Sequence, residues 1–331
     1  MSSRCIALLS GGLDSILAIR LMQQQGLEVE AVNFKTIFTC CQDAAGQAAR
    51  DLGVRLTVLE PDADYLQLIK QPSYGYGKGA NPCVDCRINM FERARAFAEQ
   101  IDAQFIVSGE VVGQRPMSQK RRDLEIIADK SGLEDILLRP LSAQLLPPTW
   151  PERAGIVDRS QLFAFSGRSR KELIRLARHF GISKIPSPST GCALTEVKFG
   201  QKVHDLVQLD PEAGRWSFEL LKRGRHFRYD DRTKIVIGRN ETDNHWLEYM
   251  HGLPDTACTL KLVPENFSGP VGLIAGPPQE ATIQYAAALL LKHSKGYDPD
   301  DARITVHGKQ EIRVQRFQRM AAADEAQTVA S

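Results

Sequence analysis

Leu8-Leu9-Ser10-Gly11-Gly12-Leu13-Asp14-Ser15 decides the fold: an apolar strand runs into a glycine-rich turn and straight on into a helix. Cys5 to Leu9 is a short continuous apolar run of the kind buried in a parallel sheet. Ile16 to Gln25 has helix-forming composition and is closed by Gly26. Gly11 and Gly12 let the backbone turn tightly. Without side chains there, an anion can approach N–H groups at a helix N-terminus, where the macrodipole favours negative charge. Ser10 and Ser15 add hydroxyl donors, so the stretch reads as a phosphate cradle. A Walker-type loop would end in Gly-Lys-Ser/Thr, and no such lysine is present. Asp14 stands in its place, where a carboxylate either holds Mg²⁺ or caps the helix.

Val29 to Phe34 reads as a second strand, Asp43 to Leu52 as a helix closed by Gly53, and Arg55 to Glu60 as a third strand. This βαβαβ series predicts a doubly wound α/β parallel sheet. Ligands of such sheets bind beyond the carboxyl ends of the strands, which directs Asn33, Phe34 and the segment Thr36 to Cys41 toward the ligand. The 331 residues suggest two domains, and the formal charge of +2 means that any nucleic-acid site is a local patch. No apolar run reaches membrane-spanning length, and a strand stands where a signal peptide would need its apolar region, so a cytoplasmic protein is expected.

Seven cysteines in such a chain point to metal or sulfur chemistry rather than to a disulfide framework. Cys5 and Cys258 lie in apolar runs and read as buried small hydrophobes, while Cys40 and Cys41 are ambiguous. Gln71 to Pro82 contains Tyr74-Gly75-Tyr76-Gly77-Lys78-Gly79 and two prolines, a composition expected to form a mobile loop. Asn81-Pro82-Cys83-Val84-Asp85-Cys86 follows, ahead of a helix expected from Ile88 to Gln100. A Cys-x-x-Cys at a helix start puts two sulfurs where backbone N–H groups and the dipole help to stabilise thiolates. A fourth strand, Gln104 to Ser108, ends in Gly109-Glu110 at the same ligand edge. Lys120-Arg121-Arg122 opens a further helix, and Arg168 and Arg170 precede another, each either a solvated face or a phosphate contact. Thr190-Gly191-Cys192 closes a proline-rich loop.

Ser10-Gly11-Gly12-Leu13-Asp14-Ser15 resembles the signature of the PP-loop ATP pyrophosphatases, which cleave ATP to AMP and pyrophosphate while adenylating a substrate. With Cys83, Cys86, Gly109-Glu110 and Cys192 in this order, residues 4 to 200 resemble the tRNA thiolation enzymes that make 4-thiouridine or 2-thiouridine. Gly109-Glu110 departs from the Gly-His of many relatives. The resemblance implies a HUP-like fold and an ATP and Mg²⁺ site formed by Ser10 to Ser15, Asn33, Phe34, Gly109 and Glu110. It implies tRNA as partner and a sulfur donor, either hydrosulfide or a cysteine desulfurase persulfide. Three cysteines favour a [4Fe-4S] cluster on Cys83, Cys86 and Cys192. A persulfide on one cysteine resolved by another, or zinc with Cys40 or Cys41 as fourth ligand, stays open. A homodimer is also left open.

Residues 201 to 225 read as a helical connector and 226 to 317 as a second, smaller α+β domain, with a fraying tail from 318 to 331. Expected strands are His226 to Tyr229, Lys234 to Gly238, Thr256 to Val263 and Val271 to Ala275, with a helix from Glu280 to His293. Gly238-Arg239-Asn240 to Asn244 is similar to the Gly-Arg-Asn-x-x-x-Asn signature of NFACT-R RNA-binding domains, which implies RNA contact through Arg239 and Asn240. The function expected is ATP-dependent tRNA uridine sulfurtransfer. Its rivals are a PP-loop enzyme acting on a small molecule, by cofactor sulfur insertion or amide ligation, and an RNA-binding module with a degenerate nucleotide site.

Overall fold

The computed structural model of the chain describes residues 3–39, 42–61, 64–187, 191–308 and 311–330. Cys40, Cys41 and Thr190 lie outside the described residues. The chain divides into two compact units, residues 1–77 with 81–193, and residues 78–80 with 194–331.

The first unit runs β1 (Arg4–Leu8), α1 (Leu13–Gln24), β2 (Glu28–Phe34), α2 (Gln42–Leu52), β3 (Leu56–Leu59), α3 (Tyr65–Lys70), α4 (Cys83–Gln100), β4 (Phe105–Val107), α5 (Arg121–Lys130), β5 (Leu137–Leu138), α6 (Trp150–Arg153) and α7 (Lys171–His179). Its strands form a parallel sheet in the order β3-β2-β1-β4-β5. The uninterrupted apolar run of β1 is explained by two buried faces. Cys5, Ala7 and Leu9 pack with Leu17 of α1 and Leu173 of α7. Ile6 and Leu8 pack on the opposite face with Phe91 of α4 and Ile127 of α5. The doubly wound expectation is therefore correct.

Two local expectations need correction. Helix α4 begins at Cys83 rather than Ile88, so both cysteines of the Cys-x-x-Cys lie in its first turn. The preceding Gly/Tyr segment is pinned rather than loose: the backbone N–H groups of Ser73 and Tyr74 donate to the Asp85 carboxylate at 2.8 and 3.2 Å. The Tyr76 hydroxyl donates to the carbonyls of Ile69 and Lys70 at 2.7 and 3.0 Å. Composition showed that this segment cannot be regular; it did not show that a buried carboxylate in the next helix gathers its backbone donors.

The second unit runs α8 (Val197–Leu209), α9 (Arg215–Leu220), β6 (Arg225–Asp230), β7 (Thr233–Ile237), α10 (Glu241–Gly252), β8 (Cys258–Pro264), β9 (Gly272–Ala275), α11 (Glu280–Lys292), β10 (Arg303–His307), β11 (Ile312–Arg316) and α12 (Ala321–Asp324). An antiparallel sheet in the order β11-β10-β8-β9-β7-β6 is the second layer of an α+β fold. On one face Phe227, Ile235, Ile274 and Ile304 pack with Ala286 and Leu290 of α11. On the other, Val236 and Leu273 pack with Trp216 of α9 and with Leu247 and Met250 of α10. The residues after Phe317, expected to fray, are tied down. Lys292 donates from Nζ to the carbonyls of Ala323, Asp324 and Ala326 at 3.1, 2.8 and 3.1 Å, and the Val329 N–H donates to the His226 carbonyl at 2.9 Å. Among the described residues, no helix is long and apolar enough to cross a membrane.

Candidate functional site

In the sheet order of the first unit, β1 is flanked by β2 and β4, so the topological switch crevice opens at the carboxyl ends of β1 and β4. The glycine-rich turn lies there. Gly11 has φ +78°, and a Cβ on it would come within 2.6 Å of the Ala44 carbonyl carbon. A Cβ on Gly109 would come within 2.5 Å of the Asp14 carbonyl carbon, so the end of β4 packs directly on the first turn of α1. The Ser15 hydroxyl donates to the Gly12 carbonyl at 2.8 Å and accepts the Ser10 N–H at 3.3 Å. The N-cap is Gly12 and no side chain caps α1, so its first N–H groups are not taken up by a side-chain cap and are of the kind that bind an anion. Leu13 is buried and anchors the turn from below. Asn33 donates from Nδ2 to the Leu9 carbonyl at 2.7 Å, holding the ends of β1 and β2 together, and the Phe34 side chain is buried in the core.

Asp14 sits inside the first turn of α1 rather than at its cap. Burial raises its carboxyl above the usual carboxylate range, against a hydrogen bond from Gln114 and the guanidinium groups of Arg115 and Arg170. These three were not identified at this site from the sequence, where Arg170 is assigned to RNA. Arg170 is the residue ahead of α7 and also donates to the Pro186 carbonyl at 2.8 Å. Arg115 in turn feels the charges of Arg87, Cys83 and Glu110, so one cation-rich zone runs from Asp14 toward α4.

The three cysteines are brought together in the first unit. Asn81 donates from Nδ2 to Cys83 Sγ at 3.0 Å. Cys86 Sγ shares a hydrogen bond with the Tyr65 hydroxyl at 3.5 Å, and both Cys83 and Cys192 act electrostatically on Cys86. The segment carrying Cys192 is tied to the stretch that follows β2 by a bridge to Thr39 and by the Ala193 N–H on the Phe38 carbonyl at 3.0 Å. Burial pushes the Cys86 thiol up to about 12, so the expected thiolate stabilisation by the helix start is overridden at this position. Tyr65, buried and itself raised well above its ordinary value first by burial and then by Cys86, is a site residue that sequence reading missed.

A [4Fe-4S] cluster needs three thiolates converging on one point. Among the described residues no three His, Cys, Asp or Glu side chains converge closely enough to hold a metal ion, and Cys86 is partnered by Tyr65 instead. The described residues therefore do not fit a three-cysteine cluster, while the zinc alternative, which takes Cys40 or Cys41 as fourth ligand, falls outside the described residues.

Glu110, expected at the nucleotide, is buried between two guanidinium groups. It is 2% exposed, accepts Arg139 Nε at 3.0 Å, and faces Arg87 Nε at 3.6 Å. Of the basic residues expected on RNA, Lys120 is the N-cap position of α5, Arg121 donates to the Leu145 carbonyl at 2.7 Å, and Arg122 and Arg168 are exposed.

In the second unit the Gly-Arg-Asn-x-x-x-Asn signature has a structural explanation. Asn240 is the N-cap of α10, its Oδ1 accepting the Asp243 N–H at 2.9 Å. The buried Asp243 carboxylate accepts from Arg239 Nε at 2.6 Å and from the Gly224 N–H at 3.2 Å. Asn244 Oδ1 accepts the Val271 N–H at 3.0 Å, and a Cβ on Gly238 would lie 2.0 Å from that oxygen. The signature therefore builds the β7–α10 corner, and Arg239 and Asn240 are the named members left exposed. Around it stand Lys202, Arg223 and Arg225; burial, then Arg239, pushes Lys202 down to about 8.

Residues 1–144 match the family described as thiamine biosynthesis protein (ThiI), and residues 224–328 match the NFACT protein RNA binding domain. The chain is 27% identical over 230 residues to the tRNA-specific 2-thiouridylase MnmA of Xanthobacter autotrophicus, covering 64% of this chain and 56% of that protein. It is 28% identical over 121 residues to the MnmA of Sulfurimonas denitrificans, 34% of this chain and 36% of that one. The chain thus spans about half or less of the length of these curated relatives. A solved 4-thiouridine synthetase in complex with RNA and bound ATP superposes with a TM-score of 0.40 at 21% identity, over 65% of this chain and 53% of that one. In sequence the first part of the chain is thus similar to PP-loop proteins of the thiouridine synthetase type, and residues 224–328 are similar to NFACT-R RNA-binding domains.

Proposed function

We propose that this protein is an ATP-dependent tRNA uridine sulfurtransferase. The observation that carries the reading is that Cys83 and Cys192 both act electrostatically on Cys86 in the same unit as an uncapped glycine-rich cradle. Replacing a uracil carbonyl oxygen with sulfur requires a better leaving group than that oxygen. The backbone N–H groups of the α1 start, with Ser10 and Ser15, hold the phosphates of ATP while the uridine oxygen attacks the α-phosphorus and pyrophosphate leaves. Asp14 is the residue that would hold Mg²⁺, which usually takes one or two carboxylates plus substrate phosphates and spreads their charge. Arg115 and Arg170 balance Asp14 and extend the field toward the departing anion.

Sulfur then comes from a persulfide. Cys192 is its carrier in this reading, because Cys86 is protonated at neutral pH and hydrogen-bonded to Tyr65. The terminal sulfur attacks the activated carbon and AMP leaves with the oxygen. A thiolate from the α4 pair attacks the Cys192 sulfur, releasing the thiocarbonyl and closing a disulfide that a dithiol reductant reopens. The sulfur donor is a cysteine desulfurase persulfide.

The test is the thionucleoside profile of bulk tRNA from a strain lacking the gene and from its parent. Loss of one 4-thiouridine or 2-thiouridine species, restored by the intact gene, is the expected result. An unchanged profile in a strain without a redundant enzyme overturns the reading. A second reading, sulfur insertion into a small-molecule cofactor, is favoured by the thiamine biosynthesis description of the matched family. It predicts an unchanged tRNA profile together with growth that requires thiamine.

Asp14 also gives a pH signature. Its carboxyl is raised, so as pH falls it takes up a proton earlier than an ordinary carboxylate of 3.8. Affinity for Mg²⁺·ATP is expected to fall with that protonation, and titration calorimetry between pH 7 and 4 reads it. The linkage to stability has the opposite sense: a raised folded value favours the fold below the unfolded value, and this is lost as pH rises through the folded value. Asp14→Asn is therefore expected to lose Mg²⁺·ATP affinity while melting no lower than the parent at pH 7.

A further inference from the structure

Helix α10 presents Thr242, His245, Trp246 and Tyr249 at positions i, i+3, i+4 and i+7, which places them along one face. With Arg223 they line an open hollow of about 370 Å³ in the second unit. Tyr249 is 57% exposed, although the next residue, Met250, is fully committed to the core. The Trp246 and Tyr249 rings lie 5.6 Å apart at 38°. Trp246 packs its other side on the core of Trp216, Leu247 and Leu273. Its Nε1–H is buried without an acceptor, in contrast to Trp216, whose Nε1 donates to the Met250 carbonyl at 2.7 Å. Buried indole donors normally have partners, so this unsatisfied one marks a place where an acceptor is missing.

The charge around the hollow specifies the occupant. Arg223 and Arg239 both lean on the single carboxylate of Asp243, at 3.6 and 2.6 Å, with their side chains 43% and 48% exposed. Arg225 and Lys202 stand close enough to Arg239 that each is held below its ordinary value, first by burial and then by that guanidinium. Four cations share this one buried anion. A half-exposed aromatic pair with an unpaired N–H donor, next to surplus guanidinium groups, has the complementarity of a nucleotide: ring for ring, carbonyl for N–H, phosphate for guanidinium.

We propose that the Trp246–Tyr249 face of α10 is a stacking subsite for an unpaired base of single-stranded RNA, with the flanking phosphates on Arg223 and Arg239. The inference rests on the RNA-directed function above and deepens it: the second unit grips an unpaired stretch of the substrate rather than a duplex. Base-paired RNA keeps its base faces inside the stack and offers this pocket no ring.

The test uses the full chain and three fluorescein-labelled probes read by anisotropy: an eight-nucleotide mixed-sequence RNA, the same length with abasic sites throughout, and a blunt RNA duplex. The single strand is expected to bind more tightly than either of the others. Tyr249→Ala is expected to weaken the single strand about 5- to 100-fold and to leave the abasic probe within about twofold, because only the stacked base is lost. Tyr249→Phe restores binding, and Trp246→Phe, which keeps a ring and removes the donor, weakens it less than Tyr249→Ala. An unchanged single-strand affinity in Tyr249→Ala, or equal loss for the abasic probe, overturns the proposal. Loss of concentration-dependent self-association in Tyr249→Ala with RNA affinity unchanged also overturns it, since the face would then dock a second copy. The two readings fail separately. A missing thionucleoside with no effect of Tyr249→Ala removes only the stacking subsite. Base-dependent RNA binding with every thionucleoside still present removes only the sulfurtransferase.

Discussion

Cys192→Ser is expected to abolish thiolated product, by at least about a hundredfold, while leaving ATP binding and tRNA-dependent pyrophosphate release in place. The two halves of the reaction draw on different residues. Adenylation uses the Ser10 to Ser15 turn and Asp14, which is balanced by Arg115 and Arg170. Sulfur delivery uses Cys192 and the α4 pair, whose Cys86 is electrostatically coupled to Cys192 and hydrogen-bonded to Tyr65. Removing one of two sulfurs that must act in sequence removes the outcome of the pair, so partial activity is not expected. Cys83→Ser and Cys86→Ser identify the resolving residue: whichever is required to release the thiocarbonyl traps tRNA covalently on Cys192, visible as a thiol-sensitive band in a denaturing gel. Full thiolation by Cys192→Ser would remove this cysteine from the chemistry and leave the sulfur centre to be found elsewhere.

The parts of this site that were legible in the sequence are those whose cause is local. Gly11 must be glycine because its φ is +78° and a Cβ there would meet the Ala44 backbone, and a strand, two glycines and a helix are visible within 20 residues. Cys83 and Cys86 announce themselves by spacing. Tyr65, Gln114 and Arg115 do not, because nothing near them in sequence says that the fold will turn them toward Cys86 or Asp14. Asn240 was legible as a motif residue and not as a cap, since the same asparagine suits an RNA contact and an N-cap until the Asp243 N–H is seen on its Oδ1. Strand β11 escaped for a different reason. Ile312-Arg313-Val314-Gln315-Arg316 alternates, but its apolar members Ile312 and Val314 are the exposed ones, so the pattern carries no sign of a core. Helix α10 buries only a few residues and keeps Trp246 and Tyr249 partly outside, which dilutes the period that would have revealed it.

Sequence makes Glu110 a ligand contact because it follows Gly109 at the strand edge, yet its side chain is buried. Its carboxylate is enclosed by two guanidinium groups, with Arg139 itself only 6% exposed. Glu110→Ala would leave Arg139 buried, with its Nε unpaired and only the Leu124 carbonyl, 3.1 Å from Nη2, still accepting from it. Stranding one partner of a buried pair costs about 3–5 kcal/mol, a large share of the stability of a whole domain. The midpoint of urea unfolding is expected to drop accordingly, with Glu110→Gln intermediate because it keeps an acceptor for Nε. The pair itself need not be a net gain, since desolvating both charges offsets much of their attraction. Glu110→Ala combined with Arg139→Leu is therefore expected to recover most of the loss, whereas a purely catalytic Glu110 would show full stability in the single variant and no rescue in the double. Because Gly109 packs on the Asp14 backbone one residue earlier, the same single variant is also expected to weaken ATP binding, and the double variant to restore it along with the fold. Recovery of stability without recovery of nucleotide affinity would give Glu110 a part in the site beyond holding the end of β4 in place.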